Sequence, residues 1–509
     1  MKANAEVDLL IIGGGINGAG IARDAAGRGL SVMLCEQGDL AGATSSASSK
    51  LIHGGLRYLE YYKFRFVREA LKEREVLLAI SPHIVWPARF ILPYENGLRP
   101  AFIIEAGLLL YDWLAPRKRL RRSRRIALRG TSEGAPLKQH FTTGFVYSDC
   151  RVDDARLVVL NAVDARERGA TILTRTRCVV ARREDTLWHV SLLDAHTATM
   201  TTVAARALVN AAGPWAADVF SDASGYEPGK KLRLVQGSHI IVRRLYAGDR
   251  CYVLQSEDRR IIFVMPYETE YSLIGTTEVS FSGDPSKARI SADEIAYLCA
   301  CVSRYFRMPL SPSDVVASYT GVRPLYDDGA KNASAATRDY VLNLDAPPKG
   351  APLISVFGGK ITTYRRLAED AMGKLSPYLK PPQDNCWTAA APLPGGDMED
   401  GNFDRFLRAL RCKYPWLKAE IATRLAHAYG TRAGVILGAA KSTADLGIDF
   451  GAGLSQAEID YLIAQEFALT PEDILWRRSK LYLQLSNDQI AAVRAYVEAH
   501  TRTSEHPNA

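Results

Sequence analysis

The sequence predicts an α+β protein that opens on a doubly wound α/β domain. Three observations predict it. The first 36 residues read as strand, glycine turn, helix and strand. From Lys231 to Thr277 the pattern turns to alternating and β-branched runs such as SHIIV, IIFVMPY and YSLIGTT. After a proline- and glycine-rich stretch at 377–396, the chain looks mostly helical to residue 509. A length of 509 residues suits about two to four domains.

The elements follow in order. Val7 to Ile12 is a continuous apolar run of strand length, as in a buried parallel strand. Ile16 to Gly27 has helical spacing, Ser31 to Leu34 resumes a strand, and Glu36 follows it. Residues 61–80 form an amphipathic helix that Ser81-Pro82 ends. Residues 101–115 are almost wholly apolar, and seven basic residues in nine follow from Arg117 to Arg125. Residues 153–168 read as a helix, Ala170 to Arg182 and Thr186 to Leu193 as a hairpin, and Ala207 to Ala211 as a short strand. A helix is expected over 288–306, a strand over Pro352 to Phe357 and a helix over Thr362 to Lys374. Pro377 to Gly396, with five prolines and two closing glycines, reads as a linker.

Composition narrows the class. Hydrophobic residues are 47% and charged residues 24% of the chain, as in an ordinary globular protein. That excludes a disordered chain, a collagen-like fibre and a small disulfide scaffold. No apolar run reaches the roughly 18–20 residues of a membrane span. The net charge of +8 favours anionic partners. The eight cysteines are scattered with no C-x-x-C pair, so no metal site is expected, and reduced thiols in the cytoplasm fit best. The N-terminus shows neither a secretory nor a transit pattern.

The best local motif is G-x-G-x-x-G at Gly13, Gly15 and Gly18. It follows a strand, opens a helix and has Glu36 about 20 residues on, which completes a dinucleotide fingerprint. The glycines let backbone approach a pyrophosphate at a helix N-terminus, and Glu36 suits a ribose. This motif alone fits FAD or NAD. The hydroxyl-rich loop Thr44 to Lys50 and two further glycine turns, at Gly213 and at Gly358-Gly359, favour one long cofactor, FAD, lying across the sheet.

GGGINGAG, TSSASSKLIHGGLRYLE, YSDCRVDDARLV, NAAGPW, QGSHIIV, IGTTE, YTGVRPL, ATRDY and FGGKITTYR occur in that order. In these motifs nearly the whole chain resembles the respiratory FAD-dependent glycerol-3-phosphate dehydrogenases of bacteria. The resemblance implies oxidation of sn-glycerol 3-phosphate to dihydroxyacetone phosphate, with electrons passed to membrane quinone. It implies a glutathione-reductase-type FAD domain interleaved with an antiparallel-sheet substrate domain, and a homodimer bound peripherally to the inner face of the cytoplasmic membrane. The expected FAD-domain segments are 1–75, 145–230 and 335–380. The substrate-side segments are a membrane-facing insertion at 76–144 and the sheet domain at 231–334, with a helical domain at 390–509.

The resemblance also implies the site. FAD contacts fall at Gly13, Gly15, Asn17, Gly18, Glu36, Thr44, Ser45, Ser48, Ser49, Lys50, His53, Gly54, Gly213, Gly358, Gly359, Lys360 and Thr362. Substrate contacts fall at Arg57, Tyr58, Thr276, Arg323, Arg338 and Lys360. Fixed arginines suit a phosphate because their planar forks bind it bidentately. His239 and Arg323 are the catalytic expectation. His239 is the base matched by motif, since an unperturbed imidazole titrates near neutrality and an arginine is always protonated. The apolar stretch at 101–115 with the basic run suits an anionic lipid surface. No calcium-binding loop of the D-x-[DN]-x-[DN]-G kind is present. The basic run lacks interleaved aromatics, so nucleic acid is not expected as a partner. An oxidase that gives its electrons to oxygen is the alternative that the sequence leaves open.

Overall fold

The computed structural model describes residues 5–95, 100–217, 219, 232–258, 260–326 and 339–501. Two sheets organise the first 380 residues. The first has eight strands, six of them in the order Val341–Asp345, Leu353–Phe357, Met200–Asn210, Ala5–Ile12, Val32–Cys35 and Thr171–Leu173. The central strand Ala5–Ile12 pairs in parallel with Val32–Cys35 and with Met200–Asn210. Leu9, Leu10 and Ile11 are wholly buried, as their continuous apolar run requires. One face is covered by the helices Ile16–Gly27, Asp154–Glu167 and Tyr364–Leu379. The other face carries an antiparallel hairpin, Thr176–Glu184 with Leu187–Asp194, in place of a second helical layer.

The second sheet has ten strands. Its long pair is Leu232–Arg243 against Val315–Tyr326, antiparallel, with His239 opposite Tyr319. The helix Ala292–Tyr305 lies against it and starts with a Ser291/Glu294 capping box. The domain boundaries differ here from the sequence expectation. Leu51–Ile52, Val85–Pro93 and Thr143–Val152 all join this sheet. Residues 51–52 and 145–152 therefore leave the FAD domain, and much of the expected insertion is sheet. The pairing partners are far apart in sequence, which leaves no local sign.

The C-terminal part builds its own core from the helices Phe403–Lys413, Ala419–Tyr429, Gln456–Glu466 and Asn487–Thr501. The stretch read as a linker is packed. Pro377 lies inside the helix Tyr364–Leu379, Leu393 is buried, and the Trp387 indole fills the space where a Gly27 side chain would stand.

Candidate active site

A cavity of about 2200 Å³ opens along the carboxyl ends of the first sheet and reaches under the second. One end is the dinucleotide fingerprint. Gly13 has φ of +111°, and a Cβ there would lie 2.5 Å from the Ala211 carbonyl oxygen, so only glycine fits. Gly18 lines nothing. It lets the helix pack against the Gly13 carbonyl, which a Cβ would approach to 1.9 Å. The Glu36 carboxylate accepts from the Gly14 and Gly38 amides at 2.6 and 2.8 Å, and burial pushes its pKa up. Ser45 Oγ accepts from the Ile16 amide at 3.0 Å and tethers the hydroxyl loop to the helix start.

Thr44, Ser45, Ser48, Ser49, His53, Gly213, Gly358, Gly359 and Thr362 line the cavity as well. Lys50 and Gly54 do not, and this corrects the expectation for both. The Lys50 ammonium is buried on both Asp154 oxygens at 2.8 and 2.9 Å. Asp154 also accepts from the Ser48 hydroxyl at 2.7 Å, so one carboxylate fixes the shape of the loop. Gly54 packs beneath, where its amide donates to the Tyr111 hydroxyl at 2.8 Å. Asp154 was not read from the sequence, although it stands in the quoted motif YSDCRVDDARLV, where consecutive acids at a helix start were the available signal.

Arg57, Tyr58, Thr276, Arg323 and Lys360 all face the cavity. Arg323 Nη2 donates to Thr276 Oγ1 at 3.2 Å. The Lys360 ammonium sits 4.1 Å from the ring centres of both Tyr58 and Phe66. Arg338 lies outside the described residues. Phe66, which carried no motif, holds Lys360 through a cation–π contact of about 0.5–2 kcal/mol. Phe66→Leu is expected to raise KM for an anionic substrate about five-fold with kcat little changed. Steady-state kinetics check this, and an unchanged KM would remove Phe66 from the site.

The two histidines divide differently from the expectation. His53 is on the cavity wall, edge-on to Phe263 at 6.2 Å between ring centres. His239 is wholly buried behind it and does not reach the cavity, so it cannot take a proton from substrate directly. Its Nε2 lies 2.9 Å from Ser49 Oγ, and its ring stacks on Tyr319 at 4.8 Å. Burial, then Arg323, then Lys50 hold its pKa well below the usual 6.5, so it is neutral at pH 7. Its stabilising effect is full above about pH 6.5 and falls as the pH drops, because the unfolded imidazole then binds the proton first. His239→Asn is expected to slow flavin reduction roughly ten-fold in single turnover, through Ser49, with substrate affinity retained. An unchanged reduction rate would leave His239 a packing residue.

The cavity mouth is apolar. The helix Ala101–Trp113, the start of the helix Phe64–Ile80 and the segment before it frame it with Tyr61, Phe64, Ile103, Ala106 and Leu110. The outer side of the first helix is bare: Phe102 is 71% exposed and Trp113 73%. The basic run borders it. Arg117 pairs with Asp112 and Arg119 with carbonyls of Asp400 and Gly401, while Arg121, Arg122, Arg124 and Arg125 are exposed. No helix among the described residues is long and apolar enough to cross a membrane.

A cavity lined both by a glycine-turned dinucleotide fingerprint and by cationic residues defines a nucleotide-dependent oxidoreductase acting on an anion. The chain belongs to the FAD dependent oxidoreductase family, whose model matches residues 8–365, and the C-terminal domain of alpha-glycerophosphate oxidase matches residues 386–505. It is 53% identical over 508 residues to a glycerol-3-phosphate dehydrogenase of Pseudomonas aeruginosa, covering 99% of this chain and 96% of that one. It is 50% identical over 485 residues to the D-erythritol 1-phosphate dehydrogenase of Brucella abortus, covering 95% and 96%. The solved glycerol-3-phosphate dehydrogenase of Bacillus halodurans, complexed with FAD, superposes with a TM-score of 0.78 at 28% identity, over 98% of this chain and 92% of that one.

The residues present fit FAD. Asn17 Oδ1 is a buried acceptor without a hydrogen-bond partner, and a Cβ at Gly213 would meet open space. Gly13, Gly15, Asn17, Ser45, Glu36, Gly213, Gly358 and Gly359 all line the one cavity.

Proposed function

We propose that this protein oxidises sn-glycerol 3-phosphate to dihydroxyacetone phosphate and delivers the electrons to membrane quinone. The observation that carries this reading is that Arg57 and Arg323 line the same cavity as the dinucleotide fingerprint, with the Lys360 ammonium held at its wall by Tyr58 and Phe66. Three cations match a phosphate near −2, and Tyr58 and Thr276 add neutral hydrogen bonds. FAD, when bound, supplies the hydride acceptor. The protein's own residues hold the phosphate, orient the secondary alcohol and accept its proton. Ser49, backed by neutral His239, and His53 are the groups on hand for that proton.

Quinone is supported by the apolar mouth, which lets a lipophilic acceptor approach from a bilayer. The bare helix and the four exposed arginines that follow it support peripheral binding to an anionic lipid surface; the cytoplasmic side and a homodimer rest on the family resemblance alone. Dye-linked turnover with glycerol 3-phosphate tests the reading, and no flavin reduction by this substrate would end it. Oxygen uptake with peroxide release would favour the oxidase instead. The Brucella relative favours a second reading, a longer polyol phosphate. D-erythritol 1-phosphate also places a secondary alcohol beside its ester carbon, so the same cations could serve it. The ratio of kcat/KM values decides between the two substrates.

A further inference from the structure

The C-terminal domain reaches the cofactor cavity. Thr470, Asp473 and Arg477 line the same end as Glu36, Arg175 and Cys178. Asp473–Arg478 winds as a π-helical turn, marked by the Ser479 amide donating to the Ile474 carbonyl five residues back at 2.8 Å. Such turns gather at functional sites. This one presents an acid and two arginines together. Asp39, three residues after Glu36, takes Arg477 and Arg478 on its carboxylate, with Arg478 Nη2 at 2.9 Å from Oδ1. Arg175, on the turn between Thr171–Leu173 and Thr176–Glu184, donates to Asp473 Oδ2 at 2.5 Å. Arg477 also pairs with Asp473. Asp39 and Asp473 are buried, and their neighbouring arginines hold the Asp473 carboxyl far below the usual range.

Three guanidiniums thus meet two carboxylates. Glu36, on whose carboxylate Arg175 also acts, is a third acid beside them, and Arg175 and Arg477 keep partial exposure at the cavity wall. An ion-pair network inside one domain would need no cavity face. This network bridges the loop that carries the ribose acid to a separate domain, and two of its arginines look into the space next to that acid.

We propose that the C-terminal domain closes the adenosine end of the FAD site, with Arg477 as a cofactor-binding residue for the adenosine diphosphate half. Asp473 is its positioning residue. The domain thereby makes retention of FAD depend on its own docking, and selects the dinucleotide over the mononucleotide.

The test compares FAD with FMN, which lacks the adenosine half. Apoprotein of the full chain is titrated with each flavin, following flavin fluorescence, for the parent and for Arg477→Met. Asp39 keeps Arg478 in this variant, so the domain stays anchored. The dissociation constant for FAD is expected to rise at least ten-fold, with that for FMN changed less than two-fold. FAD release on dilution of the holoenzyme should quicken in step. An unchanged FAD constant overturns the proposal. So does an equal rise for FAD and FMN, which would mean a general loosening of the domain. Should Arg477→Met not yield folded protein, Arg477→Gln is judged by the same two ratios.

Discussion

Arg323→Ala is expected to lower kcat/KM for glycerol 3-phosphate by about 10²–10³-fold while FAD stays bound. The side chain faces the cavity beside Thr276. Truncating one partner of a buried, hydrogen-bonded charge pair costs roughly 2–5 kcal/mol, and each 1.4 kcal/mol is about ten-fold. Arg323→Lys should recover only part, since an ammonium is a point charge without the planar fork. Removing the guanidinium also takes away one of the two charges that depress His239, so that imidazole should titrate closer to its ordinary range. Stopped-flow flavin reduction and the flavin absorbance of the purified variant check both halves. Normal kinetics with flavin intact would remove Arg323 from the site.

Reversing Arg121, Arg122, Arg124 and Arg125 to Glu is expected to cut binding to anionic vesicles at least 100-fold and quinone reduction with it. Each Lys or Arg near an anionic surface contributes about 1 kcal/mol, and the reversal turns four attractions into repulsions. The four side chains are exposed, so the fold has little stake in them. Arg122 rests 5.4 Å from the ring centre of exposed Trp113, which joins the charged and apolar parts into one surface. Because the Debye length shrinks to about 3 Å at 1 M salt, high salt should loosen the parent protein, and detergent should release it. Dye reduction should hold, because the cations at the flavin end are elsewhere. Vesicle cosedimentation and paired dye and quinone assays check this. Parent-like vesicle binding would move the membrane surface elsewhere, and a joint loss of dye and quinone activity would make the run structural.

The first βαβ unit was legible because its signals are local: an apolar strand, Gly13 with its left-handed backbone, and a helix that needs Gly18 to pack. Arg57, Arg323 and Lys360 stand in motifs of three distant segments, and all three line the cavity. The rest depended on distance in sequence. Nothing near Leu51 announces its strand partner Arg151. Nothing near Lys50 announces that Asp154 will claim its ammonium and turn it away from the cavity. His239 stands in a sheet motif, but only the pairing with Tyr319 reveals that its ring is stacked inward. Phe66 looked like an ordinary position on an amphipathic helix until Lys360 was seen above it.

The packed connector bears on how such a chain can be divided and recombined. Trp387 closes on Gly27 of the first helix, and its indole N–H donates to the Asp24 carbonyl at 3.2 Å. Arg23 and Arg168 lie over the same ring at 4.8 and 4.1 Å. The start of the second family region, at Trp387, is thus packed into the first. A graft that replaces this chain's tail at residue 380 would take Trp387 from its nucleotide domain and leave the space against Gly27 to the incoming connector. Crossover points that respect the architecture lie beyond Gly396, after the connector has finished its packing. The heritable module is then residues 5–396 together, and the tail is a guest on a surface that the connector has already completed.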